Sequence, residues 1–316
     1  MKKEKIVIAL GGNALEKEGI PATAESQLET IKETVQYVVD IIEDGYQVIL
    51  AHGNGPQVGR IVLQNEGAAN LTPSLPFDVC GAMSQGYIGY HIQQGMKNEF
   101  KRRGKQQGVV SLVTQVAVDK NDPGFKNPTK PIGPFYSEEE AEKLEKEKAY
   151  TMVEDSGRGY RRVVASPKPI KILELESIRT LVDTGFTVIA VGGGGIPVIE
   201  KEDGTFEGIA AVIDKDLASE KLAKDLDADV LFILTAVEQV AINFNKPTEK
   251  WLSELTVADA EKYSAEGHFA PGSMLPKVMA AIDFVKGRPG KKAIITSLEG
   301  ALKALKGETG TVIMDV

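Results

Sequence analysis

The chain has 316 residues, of which 42% are hydrophobic and 26% are charged, and this balance excludes an intrinsically disordered protein. The length allows one or two domains with a sizeable core. The formal net charge is −8 and the basic residues are spread along the chain, which argues against a nucleic-acid interface. Any anion that the protein binds must therefore meet a local site.

Cys80 is the only cysteine, which excludes an internal disulfide and a cysteine-rich zinc site and indicates a reducing compartment. The cytoplasm is therefore the expected location. Near the N-terminus, the apolar run 6–10 is too short for the core of a signal peptide and far too short for a membrane span. We expect no membrane association.

Short apolar runs rich in β-branched residues alternate along the chain with longer segments of helical periodicity. This alternation predicts an α/β fold with a mostly parallel sheet. The predicted strands cover residues 6–10, 48–50, 109–113, 188–191, 230–234, 293–295 and 311–314. The predicted helices cover residues 28–42, 56–67, 81–103, 172–183, 216–225 and 276–286.

The stretch 119–169 interrupts this alternation. It is rich in proline and contains one very polar helical segment, 137–148. A structureless loop of this length is unusual inside a compact domain. We therefore predict one domain, 1–316, with residues 119–169 inserted as a subdomain that has either a small fold of its own or the role of a functional lid.

Three predicted strands lead directly into glycine-rich loops, at 11–13, 52–55 and 192–195. The carboxyl ends of parallel strands meet at one edge of the sheet, and glycine lets backbone N–H groups approach an anion closely. Each loop alone is typical of a tight strand-to-helix turn. The three loops together favour a phosphate site.

None of these loops matches the common nucleotide fingerprints. The segment 53–59 has three residues between its last two glycines, and no Gly-Lys-Ser or Gly-Lys-Thr sequence follows any glycine cluster. A dinucleotide-binding fold and a P-loop are both disfavoured.

Three lysines lie in unusual sequence settings. Lys130 lies in a proline-rich run, Lys215 lies between two aspartates before a predicted helix, and Lys277 lies at the start of another helix. A lysine beside a helix N-terminus forms an anion site, because the amide dipoles and the ammonium group act on the same charge. A solvated surface position is the alternative for each lysine, and the glycine loops favour the anion site.

General bases are scarce, because His52, His91 and His268 are the only histidines. No Ser-His-Asp or Cys-His arrangement is visible, and a structural role is the simplest interpretation of each histidine. Phosphoryl transfer depends mainly on positioning and on neutralising charge, and an acceptor that is already an anion needs no proton removed. The pattern favours phosphoryl transfer between ATP and a small anionic acceptor.

Six segments, in order along the chain, carry a resemblance to a known family. They are 9–14, 52–59, 126–134, 154–161, 212–216 and 267–277, which read ALGGNA, HGNGPQVG, KNPTKPIGP, EDSGRGYR, VIDKD and GHFAPGSMLPK. On these motifs the chain resembles the carbamate kinases, which have the amino-acid kinase fold, over essentially its whole length.

The resemblance implies a three-layer αβα sandwich with a mostly parallel central sheet and a small inserted, protruding subdomain. It implies the reversible reaction ATP + carbamate ⇌ ADP + carbamoyl phosphate in a homodimer. It also implies Mg²⁺ that is bound through the nucleotide phosphates, with no metal ligands among the side chains. In the family, carbamoyl phosphate usually serves to make ATP in the breakdown of arginine or related nitrogen compounds.

The resemblance also implies roles for single residues. Lys130 would reach the transferring phosphoryl group from the subdomain. Lys215 and Lys277 would hold the nucleotide phosphates, and Asp216 would orient both lysines. The substrate and phosphate site would comprise Gly11, Gly12, Asn13, Gly53, Asn54 and Gly194. The nucleotide site would comprise Lys215, Thr235, Ala236, Val237, Met274 and Lys277.

The chain departs from the wider fold family at Ala9, where a lysine is common before the first glycine loop. The resemblance implies that Lys130 supplies this charge, which favours a carbamate kinase over acetylglutamate, aspartate and uridylate kinases.

Ala236 stands where family members more often have glycine or aspartate. The segment 156–159 is open between a site role and a turn or ion pair of the subdomain. Two alternative functions stay open: another small-acid kinase of the same fold, and a catalytically silent nucleotide-binding regulator.

Overall fold

The computed structural model of the chain describes residues 3–17, 19–155 and 157–315. The strands in these ranges are β1 (Lys5–Leu10), β2 (Gln47–His52), β3 (Val109–Ser111), β4 (Gln115–Ala117), β5 (Lys130–Tyr136), β6 (Thr151–Glu154), β7 (Tyr160–Val164), β8 (Lys171–Ile172), β9 (Thr187–Ile189), β10 (Ile196–Glu200), β11 (Phe206–Gly208), β12 (Val230–Thr235), β13 (Val240–Ile242), β14 (Lys250–Leu252), β15 (Glu254–Thr256), β16 (Lys292–Ser297) and β17 (Thr311–Met314).

The α-helices are α1 (Ala24–Glu43), α2 (Gly55–Gly67), α3 (Phe77–Arg102), α4 (Glu138–Lys148), α5 (Leu175–Asp183), α6 (Lys215–Asp225), α7 (Val257–Ala265), α8 (Met274–Val285) and α9 (Ala301–Leu305). Short 3₁₀ turns are formed by Gly12–Ala14, Pro123–Phe125 and Gly192–Gly194. No helix in the described ranges is both long and apolar enough to cross a membrane.

The central sheet of the described chain has eight strands, in the order β15-β17-β16-β12-β1-β2-β9-β3. Neighbouring strands run parallel throughout, except that β16 and β17 are antiparallel. All seven predicted strands lie in this sheet, which confirms the predicted α/β fold. No sequence pattern predicts β15, because a three-residue strand with only Leu255 buried has no visible period.

Helices cover both faces of this sheet, so alternate residues of one strand enter different cores. In β1, Val7 and Ala9 pack with α5, α6 and α8. Ile6, Ile8 and Leu10 pack with α1, α3 and α9 on the opposite face. All of β1 is buried, which is why the sequence shows a continuous apolar run instead of alternation. The result is a three-layer αβα sandwich.

Several predicted boundaries are wrong. The predicted helices 28–42 and 81–103 begin earlier, at Ala24 and Phe77, and the predicted strand 188–191 ends at Ile189. The predicted strand 109–113 ends at Ser111, and the predicted helix 172–183 begins only at Leu175. The residues before this helix form β8, which pairs with β4 in a second sheet of order β11-β10-β4-β8. These strands have two to five residues each. Strands this short give no period that the sequence could reveal.

A third sheet lies inside the segment 119–169, where β5, β7 and β6 pair antiparallel and α4 packs against β6 and β7. Ser137 caps α4, because its hydroxyl accepts from the backbone N–H of Glu140 while the Glu140 carboxylate accepts from the backbone N–H of Ser137. This reciprocal capping starts the polar helix that the sequence predicts. That the segment acts as a separate subdomain stays a prediction.

The small sheet docks onto α2 at a very close backbone contact. A Cβ atom added to Gly59 would lie 2.1 Å from the Cα of Gly133. Strand β5 can therefore lie this close to α2 only because residue 59 is glycine. Farther along α2, the carboxylate of Glu66 accepts from Tyr150 and from the ammonium group of Lys148, the latter at 2.6 Å. The segment 119–169 therefore contacts α2 at two places, Gly59 and Glu66.

Candidate active site

The three glycine loops lie at the carboxyl edge of the central sheet, beyond β1, β2 and β9. Because these strands are parallel neighbours, the loops open on the same side, where ligands of open α/β sheets bind. The end of β12, at Leu234 and Thr235, lies beside them. The predicted grouping of loops from distant parts of the chain is therefore present.

The first loop combines one packed glycine with one open glycine. A Cβ on Gly11 would lie 2.8 Å from the carbonyl oxygen of Leu234, so the loop and β12 can touch only through glycine. A Cβ on Gly12 would meet nothing within 4 Å. Gly12 and Asn13 are both exposed. The loop therefore rests on the sheet through Gly11 and presents Gly12 and Asn13 to the open space.

The second loop leads from β2 into the first turn of α2. Asn54 is buried, and its side-chain Nδ2 donates to Ser84 Oγ at 2.8 Å. The Cα of Gly53 faces the side chain of Lys215, because a Cβ there would lie 3.3 Å from Lys215 Cδ. Pro56 lies in the first turn of α2. The loop thus brings the positive N-terminal end of a 13-residue helix to a lysine side chain.

The third loop turns through residues in the left-handed region. Gly193 has φ 64° and Gly194 has φ 92°. A Cβ on Gly194 would lie 2.1 Å from the carbonyl oxygen of Ile213. Gly194 therefore packs against the segment that leads into α6. The neighbouring Gly193 is buried against Asn54, because a Cβ there would lie 2.1 Å from Asn54 Nδ2.

A buried aspartate joins two of the three predicted lysines. Asp216 is 2% exposed, and its two carboxylate oxygens each bind one ammonium group, from Lys215 and from Lys277, at 2.8 Å. Burial alone would raise the pKa of Asp216, but the two lysine charges outweigh burial and hold the pKa below its ordinary value. Asp216 is therefore a permanent carboxylate that fixes the two ammonium groups side by side.

The two lysines respond differently to this setting. Burial would lower the pKa of Lys215, but the charges of Asp216 and Asp214 raise it above its ordinary value. Burial, together with the charge of Lys215, lowers the pKa of Lys277. Lys215 is the first residue of α6, and Lys277 lies in the first turn of α8. Two helix N-termini and two ammonium groups therefore converge on one place.

The third predicted lysine arrives from the small sheet. Lys130 is the first residue of β5, and its ammonium group binds Asp214 Oδ2 at 2.5 Å. Asp214 also caps α6, because its other oxygen accepts from the backbone N–H groups of Asp216 and Leu217. Burial alone would raise the pKa of Asp214, but the charge of Lys130 keeps it below its ordinary value. All three lysines thus meet around two neighbouring aspartates.

Two clefts open beside this cluster, and we call them the first and the second cleft. The first has a volume of about 250 Å³. It is lined by Gly11, Gly12, Asn13, Ala14, Lys215, Leu234, Thr235, Ala236, Lys277, Leu298 and Glu299. The second has a volume of about 450 Å³. Its lining includes Gly12, Gly53, Asn54, Lys130, Arg158, Arg161, Gly193, Lys215 and Ser273. Gly12 and Lys215 line both clefts.

Most of the predicted site residues line one of the two clefts, and four do not. Gly194 packs against Ile213, and Asp216 lies beneath the lysines. Met274 is half-buried and packs against the core on the α8 face. Val237 follows Ala236 beyond the end of the first cleft and does not line it. The sequence identifies the loops well but not the direction of each side chain within them.

The structure also brings to the clefts charged residues to which sequence reasoning assigns no definite role. Glu299 lines the first cleft, and Arg158 and Arg161 line the second. The two arginines belong to the segment 154–161, whose motif marks the resemblance, but only the folded small sheet places them near Lys130. Ser156, which the open question about 156–159 includes, lies outside the described residues.

The histidines take no part in the clefts. His52 is buried, burial lowers its pKa to about 4, and its Nδ1–H donates to the carbonyl oxygen of Gly53 at 2.8 Å. His91 is buried on α3, and burial lowers its pKa. His268 lies 3.3 Å from Glu266. Neutral, buried His52 supports the second loop from below, as a structural residue does.

Comparison with known proteins gives a consistent result. The model of the amino acid kinase family matches residues 4–297. The chain is similar to the carbamate kinase of Clostridium perfringens, at 60% identity over 98% of this chain and 99% of that protein. It is similar to the carbamate kinase of Pyrococcus horikoshii, at 53% identity over 98% and 99%. Among solved structures, it is similar to carbamate kinase from Giardia lamblia bound to AMP-PNP, with a TM-score of 0.90 and 45% identity over 99% of each chain.

Proposed function

The chain belongs to the amino acid kinase family, among the carbamate kinases, and from this premise we propose that its two clefts divide the substrates of the reaction ATP + carbamate ⇌ ADP + carbamoyl phosphate. The observation that carries this proposal is the cluster of three ammonium groups around Asp214 and Asp216, at the place where both clefts meet. ATP and ADP bind in the first cleft, and carbamate and carbamoyl phosphate bind in the second.

The lining of the first cleft supports its assignment to the nucleotide. Lys215 and Lys277 line it at the N-termini of α6 and α8, which suits the phosphates. Thr235 and Ala236, at the end of β12, line the first cleft and not the second, which suits the nucleoside. The solved Giardia lamblia protein is bound to AMP-PNP, an ATP analogue.

The second cleft suits a small anion. It contains Lys130, the N-terminal end of α2 and the second glycine loop. Lys130 lines only the second cleft, Lys277 only the first, and Lys215 both. The transferring phosphoryl group would therefore pass beside Lys215 and Gly12, with Lys277 on the donor side and Lys130 on the acceptor side.

This arrangement needs no general base. The attacking oxygen of carbamate is already ionised, so the protein contributes positioning and positive charge around the equatorial oxygens of the transferring group. His52 is buried below the loop with its pKa lowered to about 4, which fits a site without proton abstraction. The lysine charges are fixed in place by Asp214 and Asp216 before the substrates arrive.

Mg²⁺ would be bound through the nucleotide phosphates. Among the described residues, no group of three or more His, Cys, Asp or Glu side chains could hold a metal ion. A nucleotide-borne Mg²⁺ needs only phosphate oxygens, water and at most one or two carboxylates. Glu299 is the carboxylate that lines the first cleft, so it is the side chain that could approach the ion. When bound, Mg²⁺ neutralises charge on the phosphate oxygens.

A homodimer is also part of the proposal. On α3, Val79, Met83 and Tyr90 are exposed and lie along one side of the helix, and an exposed apolar stripe on a helix is typical of an interface. A second copy of the chain would cover it. Light scattering should give twice the chain mass, and Met83→Glu should shift the mass toward that of one chain. A wild-type monomer at working concentration would contradict the dimer.

The location and the metabolic role follow from the substrates. ATP and ADP are available in the cytoplasm, where we place the protein, and the ATP-forming direction would use carbamoyl phosphate from the breakdown of arginine or related nitrogen compounds. Cell fractionation tests the location. Deletion of the gene in a host grown on arginine should lower the yield of ATP, and an unchanged yield would contradict this role.

The direct test of the activity is a coupled assay. The purified chain, ADP, Mg²⁺ and carbamoyl phosphate should form ATP, and removal of Mg²⁺ by a chelator should stop the reaction. N-acetylglutamate or aspartate offered with ATP should give no ADP. Robust turnover of either of these acceptors, with none of carbamoyl phosphate, would contradict the assignment and favour another small-acid kinase. Nucleotide binding without any turnover would favour a silent regulator.

A further inference from the structure

Two arginines of the small sheet line the second cleft and have no role in the reaction as described so far. Arg158 lies in the turn between β6 and β7, and Arg161 is the second residue of β7. Both line only the second cleft, not the first. Whatever they bind, they meet the acceptor side of the reaction and not the nucleotide.

The two guanidinium groups differ in how firmly they are held. The side chain of Arg161 is only 11% exposed, and it donates to the carbonyl oxygen of Gly133 at 3.0 Å and to Asp155 at 3.3 Å. The side chain of Arg158 is 50% exposed, and its contacts are a long one of 3.4 Å to the other oxygen of Asp155 and one with the Phe135 ring, whose centroid lies 4.8 Å from Cζ, as far as the described residues go. Arg161 is thus built into the sheet, whereas the donors of Arg158 are largely available.

A guanidinium group matches the acceptor chemically. Carbamate has a carboxylate and carbamoyl phosphate has a carbonyl beside a phosphate, and both present two oxygens that a planar guanidinium can bind in parallel. The three lysines are point charges that are already engaged by Asp214 and Asp216. An arginine supplies the directional contact that the lysines do not.

We infer that Arg158 is an acceptor-binding residue, which binds the oxygens of carbamate and of carbamoyl phosphate in the second cleft, and that Arg161 is its positioning residue. Arg161 holds Asp155, and Asp155 holds Arg158 on the side that faces the cleft. This inference rests on the proposed division of the clefts and names the group that recognises the acceptor.

The first experiment measures KM for carbamoyl phosphate and the Kd for ADP in Arg158→Gln and Arg158→Lys. Loss of one charge-assisted contact predicts a KM about 10- to 100-fold higher in Arg158→Gln. Arg158→Lys should lie between Arg158→Gln and the wild type, because it keeps the charge and loses the planar fork. The Kd for ADP should stay within about twofold of wild type in both variants. The matched control is Lys143→Gln, which removes one exposed charge from α4 of the same subdomain and should leave KM unchanged.

Binding without turnover provides an independent readout. Phosphonoacetamide is a stable mimic of carbamoyl phosphate, and calorimetry should show that Arg158→Gln weakens its binding by about the same factor as KM rises. Absence of ATP formation by the wild-type chain would contradict the proposed function, whereas normal wild-type turnover with an unchanged KM and unchanged phosphonoacetamide binding in Arg158→Gln would overturn the role of Arg158. A loss of ADP affinity equal to the rise in KM would overturn it as well.

The role of Arg161 is tested by a double-mutant cycle. If Arg161 acts through Arg158, Arg161→Gln should raise KM on its own and add nothing in the Arg158→Gln background. A residue that only stabilises the small sheet would give the same additional effect in both backgrounds. Additive changes in KM would therefore overturn the positioning role, and thermal unfolding of each variant shows whether the fold is retained.

Discussion

The two halves of the site are built in opposite ways. On the sandwich, Lys215, Asp216 and Lys277 belong to α6 and α8, which pack on the central sheet, and their charges are buried and mutually satisfied. On the side of the small sheet, Lys130 and Arg158 are partly exposed, and this sheet contacts the sandwich at α2, at Asp214 and in the cluster around Ile132.

This difference indicates that the two halves of the site have different functions. A preorganised, buried cluster holds an anion in the same place before and after the reaction, as a nucleotide phosphate requires. Partly exposed groups, such as those beside the small sheet, can make contacts that form fully only when the acceptor is bound. We therefore expect changes in the buried cluster to affect folding and nucleotide binding, and changes in the small sheet to affect turnover and acceptor binding.

The largest expected effect comes from the buried side of the comparison. Asp216→Asn would leave two buried ammonium groups without their carboxylate, and breaking a buried ion pair costs about 3–5 kcal/mol. Urea unfolding should report a loss of this size. The exposed Asp203→Asn, which disturbs only a local turn with Thr205, is the control and should leave the free energy of unfolding nearly unchanged.

The same variant has a defined pH dependence. Because the native pKa of Asp216 is held below the ordinary value of about 3.9, its stabilisation is complete above that value and is lost as the pH falls through the native pKa. The difference in unfolding free energy between wild type and Asp216→Asn should therefore be constant from pH 8 down to about pH 5 and shrink below about pH 4. A difference that grows in acid would contradict the ionised assignment.

The next largest effect tests the exposed side. Lys130→Ala should lower kcat by about 10²- to 10³-fold, the range for loss of one preorganised transition-state donor. The fold should be retained, because Lys130 is partly exposed and Asp214 keeps its capping contacts in α6. Single-turnover kinetics at saturating substrates measures the chemical step. A near-normal kcat would make Lys130 a structural partner of Asp214 only.

A smaller effect is expected for nucleotide binding. Lys215→Ala or Lys277→Ala should weaken ADP binding by about 1.5–3 kcal/mol, the value of a hydrogen bond to a charged group. Lys215 lines both clefts, so its variant should also raise KM for carbamoyl phosphate, whereas Lys277→Ala should leave this KM nearly unchanged. Unchanged ADP affinity in both variants, measured by calorimetry, would contradict the assignment of the first cleft.

The smallest effect tests how the small sheet is attached. Glu66→Gln weakens the contacts of α2 with Lys148 and Tyr150 but touches neither cleft. If these contacts position the small sheet, kcat should fall by about 3- to 10-fold, because this factor corresponds to the free energy of one hydrogen bond. The affinity for ADP should not change. The exposed Glu142→Gln on α4, which has only a 3.4 Å contact with Lys146, is the matched control. Equal kinetics in both variants would show that this anchor does not position the site.

The sequence predicts the buried half of this comparison better than the other half. The strands of the central sheet are continuous apolar runs, and Lys215 and Lys277 stand at helix starts that Asp214 and Pro276 mark in the sequence. The position of Lys130 against Asp214 depends on contacts 84 residues apart, which no local pattern contains. The resemblance implied its role, but only the fold gives its partner.

The remaining differences have local causes. Gly194 and Gly193 are adjacent glycines with positive φ, and their packing distinguishes them. Gly194 lies against Ile213, whereas Gly193 lies against Asn54 and lines the second cleft. Arg158 lies in the segment 156–159, which the sequence left open between a site role and a turn or ion pair of the subdomain. Only the docking of β7 places Arg158 and Arg161 at the second cleft. Strands of two or three residues, such as β8 and β15, are set by their neighbours in the sheets and leave no period in the sequence.

The central claim is that the sandwich binds the nucleotide and the small sheet serves the acceptor. The most direct test is calorimetric titration of ADP into Lys130→Ala and Lys277→Ala under identical conditions. The account predicts a Kd within about twofold of wild type for Lys130→Ala and at least about tenfold higher for Lys277→Ala. An equal loss of ADP affinity in the two variants would contradict it.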